Sequence, residues 1–175
     1  IEETLSYAQQ VCAGLQAAFR AGVVHRDIKP YNILITDQNT VKITDFCLSK
    51  LRGETLRGPK NLMVGSPYYA APEQEKDPNG VDARADLYPV GIMLYRMLTG
   101  ELPIDSVKQV GQINPDLDSD WDTFLAKAMA KDKEARFSNA KEMLEALNRL
   151  QKGWEEKKDK VCQWPESNQP KENYL

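Results

Sequence analysis

The chain has 175 residues, 41% apolar and 28% charged, with a net charge of −3. That is long enough for one domain with its own core, and the charge gives no reason to expect nucleic acid or an anionic membrane surface as partner. Three cysteines, Cys12, Cys47 and Cys162, are far apart and odd in number, which fits neither a disulfide framework nor a zinc site and points to a reducing compartment.

The sequence opens on Ile1 and leads straight into a helical pattern, as expected for a piece of a longer chain. Leu5, Ala8, Cys12, Leu15 and Phe19 recur at three- and four-residue steps, widened by Val11 and Ala18, with Gly22 placed to end the helix. Two short apolar runs follow, Ile33-Leu34-Ile35 and Val41-Lys42-Ile43, around the polar Asp37-Gln38-Asn39-Thr40, and read as an antiparallel hairpin. From about Lys50 to Gly80 the chain is rich in Gly, Pro and charge, too long for a simple connection.

Leu87, Val90, Ile92, Met93, Leu94, Met97 and Leu98 make the run from Asp86 to Leu98 apolar on nearly every side, as expected of a central buried helix. Trp121, Phe124, Leu125, Ala128 and Met129 predict another helix capped by Ser119 or Asp120. Met143, Leu144, Leu147 and Leu150 predict a last one, begun by Ser138. After Gln151 the chain turns polar and lysine-rich, which reads as a fraying helix and linker. No stretch reaches the ~20 apolar residues that span a bilayer. The expectation is a cytoplasmic, mainly α lobe over residues 1–150 with one small β-hairpin, and a polar extension over 151–175. A membrane tether, if any, belongs to the longer parent.

The chemistry concentrates in His25-Arg26-Asp27-Ile28-Lys29-Pro30-Tyr31-Asn32 and, past the hairpin, Asp45-Phe46-Cys47. With residues 37–40 as the loop, Thr36 faces Val41 and Asn32 lies opposite Asp45, with alpha carbons ~4.5–5.5 Å apart. An amide oxygen and a carboxylate meeting there suit Mg²⁺, with phosphate oxygens completing its shell. Asp27 precedes Asn32 in the entering loop, close enough to orient an attacking hydroxyl, and Lys29 adds a positive charge beside it. Pro30 disfavours helical geometry at Lys29 and helps hold the loop open.

These residues resemble the catalytic loop of protein kinases, H-R-D-[IL]-K-P-x-N, and Asp45-Phe46-Cys47 resembles the D-F-G that follows it. Lys29 matches the serine/threonine form. Gly65-Ser66-Pro67-Tyr68-Tyr69-Ala70-Ala71-Pro72-Glu73 resembles the G-T-x-x-Y-x-A-P-E closing the activation segment, and Asp86-Leu87-Tyr88-Pro89-Val90-Gly91 resembles D-x-W-x-x-G, with Tyr88 in place of Trp. Arg136 falls where a late arginine pairs with the A-P-E glutamate, here Glu73. The resemblance covers roughly residues 1–150, and its wording is most similar to the eukaryotic-like kinases of bacteria.

The resemblance implies the C-terminal lobe of a serine/threonine protein kinase that uses ATP with Mg²⁺ or Mn²⁺ to phosphorylate Ser/Thr of protein substrates. Asp27 would orient the substrate hydroxyl, Lys29 steady the moving phosphate, Asn32 and Asp45 hold the metal, and Ser66 seat the substrate. Arg26 would meet an activation-segment phosphate, for which Thr55 is the candidate site. Asp86 would brace the loop backbone, helix capping being an equal reading of its position. His25 reads as packing support rather than a base.

Two departures bear on activity. Cys47 replaces the D-F-G glycine and narrows the backbone conformations open to Asp45. The 175 residues also contain no glycine-rich phosphate loop, no Val-Ala-Ile-Lys lysine and no partner glutamate. The isolated chain is therefore expected to be inactive without its N-terminal lobe and to associate through the exposed interface. A pseudokinase-like binding module and a small-molecule phosphotransferase are the alternatives. The retained Asp27, Lys29, Asn32 and Asp45 argue against the first, and Arg26, Lys29-Pro30 and Ala71-Pro72-Glu73 against the second.

Overall fold

The computed structural model describes residues 1–46, 49–51, 68–104 and 107–162. Its frame is helical: α1 (Glu2–Arg20), α2 (Pro72–Lys76), α3 (Leu87–Thr99), α4 (Val110–Ile113), α5 (Ser119–Ala128) and α6 (Ala140–Cys162). The strands are short: β1 (Val23–Val24), β2 (Ile33–Ile35), β3 (Val41–Ile43) and β4 (Lys50–Leu51). β2 and β3 form the expected hairpin, and β1 pairs antiparallel with β4, a two-residue match too brief for periodicity to reveal.

α3 is the central post, as its apolar run predicts. Leu87, Val90, Ile92, Met93, Leu94, Tyr95 and Leu98 are all buried on it, and only Met97 of the expected set is exposed. Gly91 sets its distance from α5, because a Cβ there would stand 2.8 Å from the Ala128 Cβ and 2.9 Å from Met129 Cγ. Gly100 ends the helix in the left-handed region at φ 76°, where a side chain is disfavoured. α1 lies against both α3 and α6 through Leu5, Ala8, Val11, Cys12 and Leu15. Phe19, assigned to the same stripe, sits in the last turn and remains 41% exposed.

Two caps differ from expectation by one residue. Asp118, extended and outside the helix, caps α5 by accepting from the Asp120 N–H at 3.1 Å, while Ser119 and Asp120 are already helical. Asn139 Oδ1 accepts from the Glu142 N–H at 2.9 Å at the start of α6. Ser138 instead donates through both its N–H and Oγ to Glu142 Oε2 at 2.7 Å. The Lys127 ammonium, 2.6 Å from Oε1, and then the two Ser138 donors hold the Glu142 carboxyl below its ordinary 4.5, at about 2.

α6 does not fray at Gln151. It continues to Cys162, tied to α1 by Gln9 Nε2 donating to Gln151 Oε1 at 2.7 Å and by a Lys158–Glu2 ion pair at 2.6 Å. A further ion pair joins Lys157 to Asp118 at the start of α5. Among the described residues no helix is long and apolar enough to cross a membrane.

Candidate active site

The loop between β1 and β2 crosses the end of the helical frame, and buried polar groups fix its backbone. The Asp86 carboxylate, just ahead of α3, accepts from His25 N–H through Oδ2 and from Arg26 N–H through Oδ1, both at 2.7 Å. It makes no side-chain capping bond to α3. Burial pushes the Asp86 carboxyl up to about 6, opposed by those two N–H bonds and by the charge of Arg26.

Arg26 adopts φ 71°, a left-handed conformation uncommon for a residue with a side chain. Gln74 Nε2 holds its carbonyl at 2.7 Å, while Gln74 Oε1 accepts from Ala71 N–H at 3.0 Å. Gln74 went unnoticed in the sequence. Its one signal is its place in the first turn of α2, where Gln commonly reaches back to the chain ahead of the helix.

His25 is fully buried. Its Nδ1 accepts from Asp27 N–H at 3.2 Å, which places the proton on Nε2, 2.9 Å from the Thr44 carbonyl. Both ring nitrogens are thus occupied within the loop, and the ring also packs on Phe46 with centroids 4.5 Å apart.

Asp27 is buried, and its two carboxylate oxygens differ. Oδ2 accepts from Lys29 Nζ at 2.7 Å and from Asn32 Nδ2 at 3.0 Å. Oδ1 is buried with no hydrogen-bond partner among the described residues. Asn32 Nδ2 also donates to the Asp27 carbonyl at 2.7 Å, so the amide nitrogen is committed to Asp27 and the amide oxygen is left as the acceptor.

The hairpin register corrects the expected pairing. Ile33 pairs with Ile43 and Ile35 with Val41, so Thr36 faces Thr40, not Val41. The loop closes in three residues because Asn39 adopts φ 56°, a left-handed step after a turn that Asn tolerates. The Asn39 N–H donates to Thr36 O at 2.9 Å and the Thr36 N–H to Thr40 O at 3.0 Å. Asn32 therefore lies opposite Thr44, whose N–H donates to the Asn32 carbonyl at 2.9 Å. Asp45 follows one residue later at φ 61°, in a conformation Asp accepts more readily than most residues.

A second polar cluster stands apart from the loop. Arg136 donates from Nη1 and Nη2 to the two Glu73 oxygens at 2.6 Å and from Nε to the Ala130 carbonyl at 2.6 Å. Its guanidinium also lies 4.9 Å from the centre of the Tyr88 ring. The structure thus brings Asp27, Lys29 and Asn32 together, hangs His25 and Arg26 on Asp86, and sets Glu73 and Arg136 behind them. Cys47, Thr55 and Ser66 lie outside the described residues.

A family model described as protein kinase domain matches residues 1–151. The chain belongs to the protein kinase domain family. It is 34% identical to a probable serine/threonine-protein kinase of Clostridium acetobutylicum, over 86% of this chain and 25% of that protein. A probable serine/threonine-protein kinase of Bifidobacterium longum is 37% identical over 86% of this chain and 22% of its own length. A serine/threonine-protein kinase of Myxococcus xanthus is 35% identical over 82% and 23%. The chain spans about a quarter of the length of these relatives. Their bacterial origin agrees with the kinase type that the motif wording resembles.

Proposed function

We propose that this lobe carries the phosphoacceptor side of a bacterial-type serine/threonine protein kinase, which moves the γ-phosphoryl group of ATP to Ser/Thr hydroxyls of proteins. The observation that carries this reading is the asymmetry of Asp27. One oxygen is held by Lys29 and Asn32, and the other is buried without a partner. A buried acceptor without a donor costs stability and calls for an explanation; a substrate hydroxyl donating to Oδ1 supplies one.

In this reading the serine or threonine oxygen bonds to the γ-phosphorus as the bond to ADP breaks, and the hydroxyl proton leaves toward Asp27. Lys29 fixes the Asp27 carboxylate and contributes positive charge beside the transferring group. Positioning and charge stabilisation of this kind account for most of the catalysis in phosphoryl transfer. Asn32 and Asp45 offer only oxygen donors, and no group of three or more His, Cys, Asp or Glu able to hold a metal occurs among the described residues. Such a pair fits Mg²⁺, which binds one or two protein groups and takes further ligands from phosphates; Asn32 and Asp45 would hold it, and it would neutralise phosphate charge.

Arg26 Nε and one Nη are buried without partners among the described residues, which supports the assignment of Arg26 to a phosphate on the activation segment, with Thr55 as the candidate. Ser66 remains the assigned substrate-seating residue, and Asp86 the brace of the loop. Leu34 and Ile35 on β2 and Phe46 just after β3 are exposed. We assign them to the ATP-gripping lobe of a longer protein, without which this chain is inactive.

The test is transfer of labelled phosphate from ATP to protein by the longer kinase in the presence of Mg²⁺. The expected result is label on Ser or Thr that is lost on chelation and in Asp45→Ala. Label on a small alcohol but on no protein, or transfer that survives Asp45→Ala, contradicts the reading.

A further inference from the structure

A cavity of about 480 Å³ opens beside the catalytic loop. Its walls are mostly apolar and include Ile33, Met93 and Met97, and the polar groups on them are the hydroxyls of Tyr7, Tyr31 and Tyr69 and the Arg96 guanidinium. Tyr31 follows Asp27 by four residues and is 89% exposed. Tyr69 follows Ser66 by three. The cavity is therefore bounded by both segments that the proposed function places on the protein substrate.

Arg96 is in the last turn of α3, where a cation is favoured by the helix dipole. That position alone would let the guanidinium reach back to the terminal carbonyls. Instead its Nη1 donates to the Tyr69 hydroxyl at 2.8 Å, its one hydrogen bond among the described residues. Tyr69 is buried, and its oxygen is already accepting from Arg96. The phenolic proton is thus free to donate outward, next to the remaining guanidinium N–H groups. Among the described residues neither group has a hydrogen bond or ion pair to a carboxylate. Two donors, one of them cationic, converge in an apolar recess without an acceptor, an arrangement complementary to an anionic side chain with an apolar neighbour.

We propose that Arg96 and Tyr69 form a specificity pocket for an acidic residue of the protein substrate, Asp or Glu, within a few positions of the phosphorylated Ser or Thr. A carboxylate there accepts from the Arg96 guanidinium and the Tyr69 hydroxyl, while an adjacent apolar side chain packs on Met93 and Met97. The inference rests on the kinase reading and deepens it by naming a substrate class.

The test uses the longer kinase carrying this lobe and a set of peptides with one Ser acceptor, in which Glu, Gln or Lys is placed at each flanking position in turn. The expected result is one position at which Glu raises kcat/KM over Gln by about fivefold, mainly through KM, the scale of one exposed charge pair. That ratio falls to about one in Arg96→Ala, narrows in Tyr69→Phe, and turns in favour of Lys in Arg96→Glu. Peptides phosphorylated with no acidic preference, or with a preference that survives both Arg96 variants, overturn the pocket and leave the kinase reading standing. No phosphorylation of any peptide or protein overturns the kinase reading itself, and the pocket falls with it.

Discussion

The helical interior and the loop end of this lobe are held by different physics. Inside, α1, α3, α5 and α6 meet through Leu5, Leu94, Leu125, Met143 and Leu147, each fully buried. Every such contact is one of many, and burial is non-directional. At the loop end, single polar groups hold the backbone: one carboxylate on two N–H groups, one amide on one carbonyl, one imidazole between an N–H and a C=O. Arg26 and Asp45 take left-handed backbone there. The left-handed backbone of Arg26 and Asp45 and the atoms of Arg26 and Asp27 unpartnered among the described residues lie where the chemistry is placed, and the apolar frame carries their cost.

That contrast can be broken by substitution. Trp121→Ala, deep between the helices, is expected to cost ~4 kcal/mol in a urea titration. In the longer kinase, phosphate transfer at low temperature should survive in whatever fraction remains folded. A cost below about 1 kcal/mol would mean the interior is not what holds the frame.

Glu73→Ala is expected to cost ~3 kcal/mol, because it strands the buried Arg136 guanidinium. Replacing both residues by apolar ones should cost less than this single change, which a double-mutant cycle checks.

Asp86→Asn keeps the shape but offers one acceptor oxygen to two N–H groups. It is expected to cost ~2 kcal/mol and to lower kcat of the longer kinase by at least tenfold by loosening the loop that carries Asp27. Equal losses of stability and activity in Asp86→Asn and Trp121→Ala would erase the distinction between the two regions.

The smallest effect is at Glu142. Its carboxyl is held at about 2, below its ordinary 4.5, so the native state binds its proton less tightly than the unfolded state. The stabilisation is therefore present above about pH 4.5 and is lost as pH falls toward 2. The group is partly solvated, so under about 1 kcal/mol is expected. Glu142→Gln should flatten that part of the acid limb of a stability–pH curve.

Much of this was legible in the sequence, for reasons that differ by region. The buried face of α3 follows from an apolar run longer than any one-sided stripe, and the loop from its match to the H-R-D-[IL]-K-P-x-N motif. The hairpin register was missed because Asn39 can close the loop in three residues only by turning left-handed, a choice that composition permits but does not force. The α5 cap was missed because Asp118, Ser119 and Asp120 are all able to cap. Gln74 and Arg96 depend on approaches between segments 48 and 27 residues apart, which no local pattern reports.

The central claim is that Asp27 serves transfer and not folding. It is tested most directly by Asp27→Asn in the longer kinase, with turnover measured on protein whose unfolding midpoint is known. The account predicts a stability loss of no more than about 2 kcal/mol, the scale of the weakened bonds to Lys29 and Asn32, and turnover reduced at least a thousandfold. Near-parental turnover, or a lobe that fails to fold, would contradict it.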